Sequence, residues 1–301
     1  ARVMRGGGTL PRELAELDCL LRCLVEARVL LPEVAQATAS QSALAAALAG
    51  SVRERGAIGR AFAEIARLIE SVRDRLTGDM YATFTATLRT AREETASAGR
   101  NLDALGHALA AVQRFSALVA GLAAENMVRG GGWLFLDLGR RIERAQAVTA
   151  EAAATLDQPP PRIEIGLRLL LELCDSVITY RARYLTVIQP APVLDLVLAD
   201  PGNPRGLAFQ LASMHTLLDE LSGDVGGAER LAATAAGLLA EAEALVGGVL
   251  AASDQAAAAA ALPPRLQAIG AELATLSDRV TRRYFALLPA AQALWGEAPA
   301  A

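Results

Sequence analysis

"ENMVRGGGWLFLDLGRRIERA" (residues 125–145) places three glycines before a tryptophan, then interleaves Asp137, Arg140, Arg141, Glu143 and Arg144 with leucine, phenylalanine and isoleucine. At about 100° per residue from Trp133, the residues Leu134, Phe135, Leu138, Ile142 and Ala145 share one arc, and the charges lie on the other side. That division predicts a helix with a core face. Trp133 and Leu136 fall among the charges and ask for a second packed surface. Two readings of the charged arc stand. It is a solvated face, laced by Asp137 with Arg140 and Arg141 and by Arg140 with Glu143, each pair contributing about 0.2–0.5 kcal/mol. Alternatively it is a polar network between helices, in which every buried charge needs a partner.

The glycines at 130–132 suggest a phosphate loop, but no strand precedes them and no GK[ST] follows. They read as a helix entrance, with amides that an anion could still meet.

The same helical period runs outward in both directions, and no alternating strand pattern persists. Helices are predicted at 11–31, within "TASQSALAAALAG", from "RERGAIG" to Gly78, at 79–98, and at 101–126 with Asn101 as N-cap. The opening helix then ends before "DQPPPR" (157–162), the clearest punctuation in the chain. Beyond it come helices at 163–188, 205–222, 227–251 and 263–288, with "QPAPVLDLVLADPGNPRG" as a loop enclosing one short helix. The fold class expected is all-α, an antiparallel multi-helix bundle without a sheet, in one domain over 11–290 with a frayed tail at 291–301.

Composition agrees with a large helical core. The 301 residues are 53% hydrophobic but 4% aromatic, so alanine and leucine supply the apolar share. The net charge of -4 argues against a nucleic-acid partner. No apolar run approaches the roughly 18 residues a membrane helix needs, so no membrane partner is expected. Cys19 and Cys23 sit one turn apart with Cys174 distant. A structural zinc needs about four ligands, so no metal is expected and the cysteines read as buried apolar residues. Their odd number suggests a reducing, cytoplasmic setting.

"CDSVITYRARYLTV" carries Ser176, Thr179, Tyr180 and Arg183 on one face, with Tyr184 one turn beyond Tyr180. Arg181 falls in the arc of Leu170, Cys174 and Leu185, where it must pair or snorkel. Glu143 or Asp137 would be its partner if the two helices are neighbours. In "DPGNPRG", Asn203 reads as an N-cap and Pro204 as a first helical residue. Arg205 then sits where the helix dipole disfavours a cation, which implies an acidic partner. His107 and His215 have no Ser or Cys partner pattern, and no catalytic set emerges.

In this order, "ENMVRGGGWLFLDLGRRIERA", "SVITYRARYL", "DPGNPRGLAFQL" and "LSDRVTRRYF" resemble the bacterial alpha-E domain family, from about "SVRDRL" to Phe285. The form most similar is the C-terminal half of a fusion whose N-terminal half is a circularly permuted ATP-grasp domain. Residues 1–10, "ARVMRGGGTL", are similar to the closing segment of that half. The resemblance implies a helical domain associated with ATP-dependent amide or peptide ligation. The ATP-grasp domain, fused or separate, would be its partner. ATP and Mg would belong to that partner, with no cofactor in this domain.

Position by position, the family's polar residues fall on Glu125, Asn126, Arg129, Trp133, Asp137, Arg140, Glu143 and Arg144, then on Ser176, Tyr180, Arg181, Tyr184, Asn203 and Arg205. One departure is visible. Where the family opens with a second Glu-Arg-Ala-type motif, this chain has "LAELDCLLRCLVEARVLL" and keeps only Glu26, Ala27 and Arg28. Three functions follow as expectations. One is an accessory module that binds a peptide or other carboxylate-bearing ligand through Arg140, Arg144 and Arg181. Another is an enzyme acting on the ligase product, with Glu125 or Glu143 as general acid or base. The last is a structural interaction domain.

Overall fold

The computed structural model describes residues 11–285 apart from 37, 39, 54, 99–101, 185–186 and 225–228. All regular structure among the described residues is helical, with no strand. The chain runs through α1 (Pro11–Glu26), α2 (Pro32–Gln36), α3 (Gln41–Val52), α4 (Ala57–Ser71), α5 (Gly78–Ala96), α6 (Leu102–Asn126) and α7 (Gly131–Leu156). It continues through α8 (Ile163–Leu173), α9 (Val177–Tyr184), α10 (Pro190–Leu194), α11 (Leu207–Asp224), α12 (Glu229–Ala251), α13 (Gln255–Ala260) and α14 (Pro263–Tyr284).

Local chemistry sets the boundaries, and in four places they differ from the periodic reading. α1 stops five residues early because Arg28 turns left-handed at φ 57°. The Arg28 amide then donates to the Val25 carbonyl and the Val29 amide to the Leu24 carbonyl, both at 2.9 Å, which closes a Schellman motif. The helix expected from "RERGAIG" to Gly78 ends instead at Ser71. Thr77 accepts from the Met80 amide at 3.3 Å, so Gly78 opens α5 and does not close its predecessor. The helix expected over 163–188 breaks at Asp175, φ 47°, where the Ser176 amide reaches back to the Leu171 carbonyl and the Asp175 amide to the Glu172 carbonyl. Pro204 and Arg205 lie in a turn, and α11 begins at Leu207. The expected cap at Asn101 lies outside the described residues.

α7 is the central strut, packed against α1, α8, α11 and α14. The main core runs from Leu134 to Val280 and includes Leu156 and Ile163, so the proline run lies within one core rather than between two. A satellite core joins α4, α5 and α6 around Phe62, Phe84 and Phe115, whose Phe62–Phe115 rings meet edge to face at 5.7 Å. The stretch read as a loop is largely buried. α10 continues into a π-helical turn (Asp195–Ala199), and Leu196, Val197 and Leu198 have no solvent exposure. A π turn leaves its next carbonyl looking to residue 201, which is a proline without an N–H. The Asn203 side-chain amide donates to the Leu196 carbonyl at 2.9 Å in its place.

Two helices do pass the length and hydropathy expected of a membrane span, in contrast to the sequence reading. They are Asp103–Asn126 and Arg230–Ala251, with mean hydropathy 1.3 and 1.4. Both owe this to alanine and leucine. In the bundle, α6 packs on α3 and α5, and α12 packs on α10, α11, α13 and α14.

Candidate functional site

The helical wheel could not decide between a solvated face and a polar network because α7 has neighbours on several sides. The structure divides the charged arc between them. Asp137 is buried, Arg140 and Arg141 are half-buried, and Glu143 and Arg144 are exposed. Asp137 lies under two guanidinium groups. Arg141 forks onto it with Nη2 at 3.1 Å and Nε at 3.3 Å, and Arg140 Nη1 donates at 3.2 Å. Arg141 Nη1 also donates to Gln210 Oε1 at 3.2 Å, and its guanidinium stands 5.3 Å from the Phe209 ring centre. Gln210 is fully buried and donates to the Pro204 carbonyl at 2.7 Å. One chain of bonds therefore ties α7 to α11 and to the turn before it.

Arg144 lies one turn beyond Arg140 on the same stripe. Among the described residues it has no hydrogen bond or ion pair. Partial burial, and then the charges of Arg140, Arg141 and Arg205, depress its pKa from the ordinary guanidinium value, with Asp137 pulling the other way. Arg205 reaches the cluster from the turn. Its expected acidic partner exists, but it is Asp175 at 3.5 Å, on the α8–α9 break, and not Asp137 or Glu143. Asp137 thus holds Arg140 and Arg141, Asp175 holds Arg205, and the charges of all three arginines act on Arg144.

The remaining motif residues mainly fasten the fold. Tyr180, 2% exposed, donates to the Val187 carbonyl at 2.9 Å and accepts from the Gln189 amide at 3.2 Å. Tyr184 donates to Asp195 at 3.1 Å, and burial followed by that carboxylate raises its pKa. Asn203 donates to Ser176 Oγ at 3.1 Å, which joins the start of α9 to the π turn. It does not cap a helix as expected; its Oδ1 accepts from the Arg205 amide at 3.1 Å. Arg183 pairs with Asp200, which also accepts from the Gly202 amide at 2.7 Å. Burial alone would raise the Asp200 carboxyl, and these bonds outweigh it and hold the pKa below its ordinary value.

Arg181 is exposed and meets neither Glu143 nor Asp137. The wheel that put it in an apolar arc assumed a continuous helix through Asp175, and the break there rotates α9 relative to α8. Glu125 and Asn126 are exposed at the α6–α7 turn. Arg129 donates to the Ala124 carbonyl at 2.6 Å and covers the Trp133 ring at 3.9 Å, a cation–π contact that accounts for Trp133 in the charged arc. These residues belong to the helix entrance. Two grooves, of about 610 Å³ between α1, α2 and the ends of α7 and α14 and of about 390 Å³ between α4 and α5, are lined by none of Glu143, Tyr180 or Arg181. Among the described residues no three of His, Cys, Asp and Glu stand close enough to hold a metal ion.

The sequence reading missed Glu151, seven residues beyond Arg144 on the same stripe of α7. Burial raises its pKa to about 7. It acts electrostatically on Cys23 of α1, whose thiol is raised first by its hydrogen bond with Cys19 and then by burial, and on Cys174 at the end of α8, whose thiol is raised first by burial. The available signal was a lone carboxylate in "AVTAEAAATL" at helical register with the charged stripe.

The fold and the site thus define an all-helical module with an internal polar latch and an open arginine cluster. The chain belongs to the Alpha-E family, described as a predicted alpha-helical domain with a conserved ER motif, whose model matches residues 1–285. The dipeptide Glu143–Arg144 stands in the opening stretch, and Arg144 has no hydrogen bond or ion pair among the described residues. Similar curated proteins are the uncharacterized protein Rv2567 of Mycobacterium tuberculosis (strain ATCC 25618 / H37Rv) and the uncharacterized protein Mb2597 of Mycobacterium bovis (strain ATCC BAA-935 / AF2122/97). Each is 30% identical over 174 residues, covering 56% of this chain and 20% of the relative. The matched stretch thus spans a fifth of the length of these relatives. No solved structure matches the chain.

Proposed function

We propose that this chain is an accessory module of an ATP-grasp amide or peptide ligase, and that it holds an anionic, carboxylate-bearing ligand at the arginine cluster of α7. The observation that carries the reading is Arg144, a guanidinium with no hydrogen bond or ion pair among the described residues, on which the charges of Arg140, Arg141 and Arg205 all act. Like charges repel, and a cluster kept in that state is relieved by a bound anion. Arginine forks suit carboxylates because two parallel N–H groups match two oxygens. The ligand residues in this reading are Arg140, Arg144 and Arg205, with Arg181 replaced by Arg205. In this proposal the ligase partner supplies ATP and Mg, and the work is cytoplasmic.

A second reading, a structural interaction domain, draws support from Ser176, Tyr180, Tyr184 and Asn203, whose polar groups bond one another, nearby backbone or, for Tyr184, the Asp195 carboxylate. The reading as an independent enzyme loses its named bases, since Glu125 and Glu143 are exposed. The test is a ligation assay on the ligase with this module intact, removed, or carrying Arg140→Gln with Arg144→Gln. A loss of turnover or a raised KM in the double variant supports substrate handling. Unchanged ligation in all three leaves the structural reading.

A further inference from the structure

The groove of about 610 Å³ lies at the end of α7, about 20 Å along that helix from Arg144, and has the volume of a small-molecule site. α1 and α2 line it on one side, and the end of α7 with the start of α14 on the other. Leu21, Ala153, Ala154 and Pro263 give it a buried apolar lining. Its charged lining is Asp18, Glu26 and Asp157 against Arg22. Arg22 crosses from α1 to the end of α7: Nη1 donates to the Asp157 carbonyl at 2.7 Å and to Asp157 Oδ2 at 2.8 Å, and Nη2 stands 3.4 Å from Asp18 Oδ2. Glu26 is exposed and has no hydrogen bond or ion pair among the described residues. Three carboxylates against one guanidinium leave the groove two negative charges in excess. The backbone adds to this. α1 and α7 both end at the groove without a basic residue in the last turn, so the negative ends of two helix dipoles stand there uncompensated. The first two residues of α14, Pro263 and Pro264, have no N–H to offer an anion. Among the described residues no three carboxylate, thiol or imidazole side chains stand close enough to hold a metal ion, so the cation that fits is organic.

Spacing along α1 narrows the ligand further. Asp18, Arg22 and Glu26 follow one another at every fourth residue, so they share a face, with the two carboxylates about 12 Å apart along the axis and the guanidinium between them. We propose that the groove binds an aliphatic diamine, with one ammonium at Asp18 and Asp157, the other at Glu26, and the hydrocarbon chain along the apolar lining. An ammonium offers three donors, which suits carboxylates and helix-end carbonyls on separate elements. Arg22 disfavours a positive charge in the middle of the ligand, so a plain methylene chain fits there better than a third amine. The site is independent of the arginine cluster: it lies at another part of α7 and takes the opposite charge, and either reading can fail without the other.

The experiment is calorimetric titration of the chain with 1,8-diaminooctane, hexylamine, spermidine and suberate at one fixed ionic strength, repeated on Asp18→Asn and Glu26→Gln. The diamine should bind about tenfold or more tightly than hexylamine, and each substitution should weaken it by a similar factor. Suberate, of similar length and opposite charge, should not bind. Glu26→Gln breaks no bond, so its thermal melt should match that of the parent, which separates lost binding from lost folding. General attraction to an acidic surface would rank triply charged spermidine first, so spermidine ahead of the diamine overturns the proposal. Hexylamine binding as tightly as the diamine overturns the two-ended ligand. If no amine binds, if suberate binds as well, or if binding ignores both substitutions, the groove is not a cation site.

Discussion

Glu151→Gln should make the protein more stable as the pH rises, a consequence of where α7 places this side chain. The carboxyl acts electrostatically on the thiols of Cys23 in α1 and Cys174 at the end of α8, and burial raises its pKa from 4.5 to about 7. A carboxyl whose folded pKa exceeds its unfolded value keeps its proton longer in the folded state. The folded state therefore binds more protons between pH 4.5 and about 7, and stability falls as pH rises through that window. Below it the burden is absent, and above it the burden is complete. At about 1.4 kcal/mol per pH unit, the window corresponds to at most about 3 kcal/mol, and water reaching the partly open seam reduces this toward 1 kcal/mol. Glutamine keeps the shape without the titration. Urea unfolding of the parent and the variant, followed by far-UV circular dichroism at pH 5, 6, 7 and 8 and constant ionic strength, measures the difference directly. Every other titrating group cancels in that difference. The variant should gain on the parent steadily from pH 5 to pH 8, by about 1–3 kcal/mol overall. Parallel stability curves, with a gap that does not change with pH, would refute a buried, proton-holding Glu151.

Two further outcomes test the packing around the site. Asp137→Ala should cost about 2–4 kcal/mol in chemical denaturation, because it strands Arg141, whose side chain is 16% exposed, without its carboxylate; Arg141→Met in the same background should recover part of the loss. Gly166→Ala should lower the melting temperature sharply, by the equivalent of about 2 kcal/mol or more, since a Cβ there runs into the Thr155 backbone carbonyl and α8 must move off the end of α7. The same change at exposed Gly237, where a Cβ meets nothing within 4 Å, should leave the melt unchanged or raise it.

Much of this architecture was legible in the chain because helical period and punctuation are local. The core arc of α7, the stop at Leu156 and the start of α14 at its paired prolines follow from residues within a few positions of each other. Two of the errors came where a single residue left the helical region without a glycine to mark it. Arg28 and Asp175 take positive φ as ordinary side-chain residues, and the helices stop there for a tertiary reason, the turn of the chain onto the next packed element. The break at Asp175 also undid the placement of Arg181, since a wheel drawn through it sums angles that the backbone does not keep. The candidate site divided similarly. The sequence reading put Asp137, Arg140 and Arg144 on one stripe, and Arg205 was expected to need a carboxylate. That the carboxylate is Asp175, and that Gln210 closes the latch, depends on contacts across 30 and 69 positions.

The sequence by itself determined that the chain is helical and set the two sides of α7, because 3.6-residue periodicity is a property of consecutive residues. Only the tertiary structure decided which charges of one arc are buried, paired or left open. The surroundings of α7 are supplied by α1, α8, α11 and α14, and the free energy of a charge depends on what stands beside it rather than on its place in the chain.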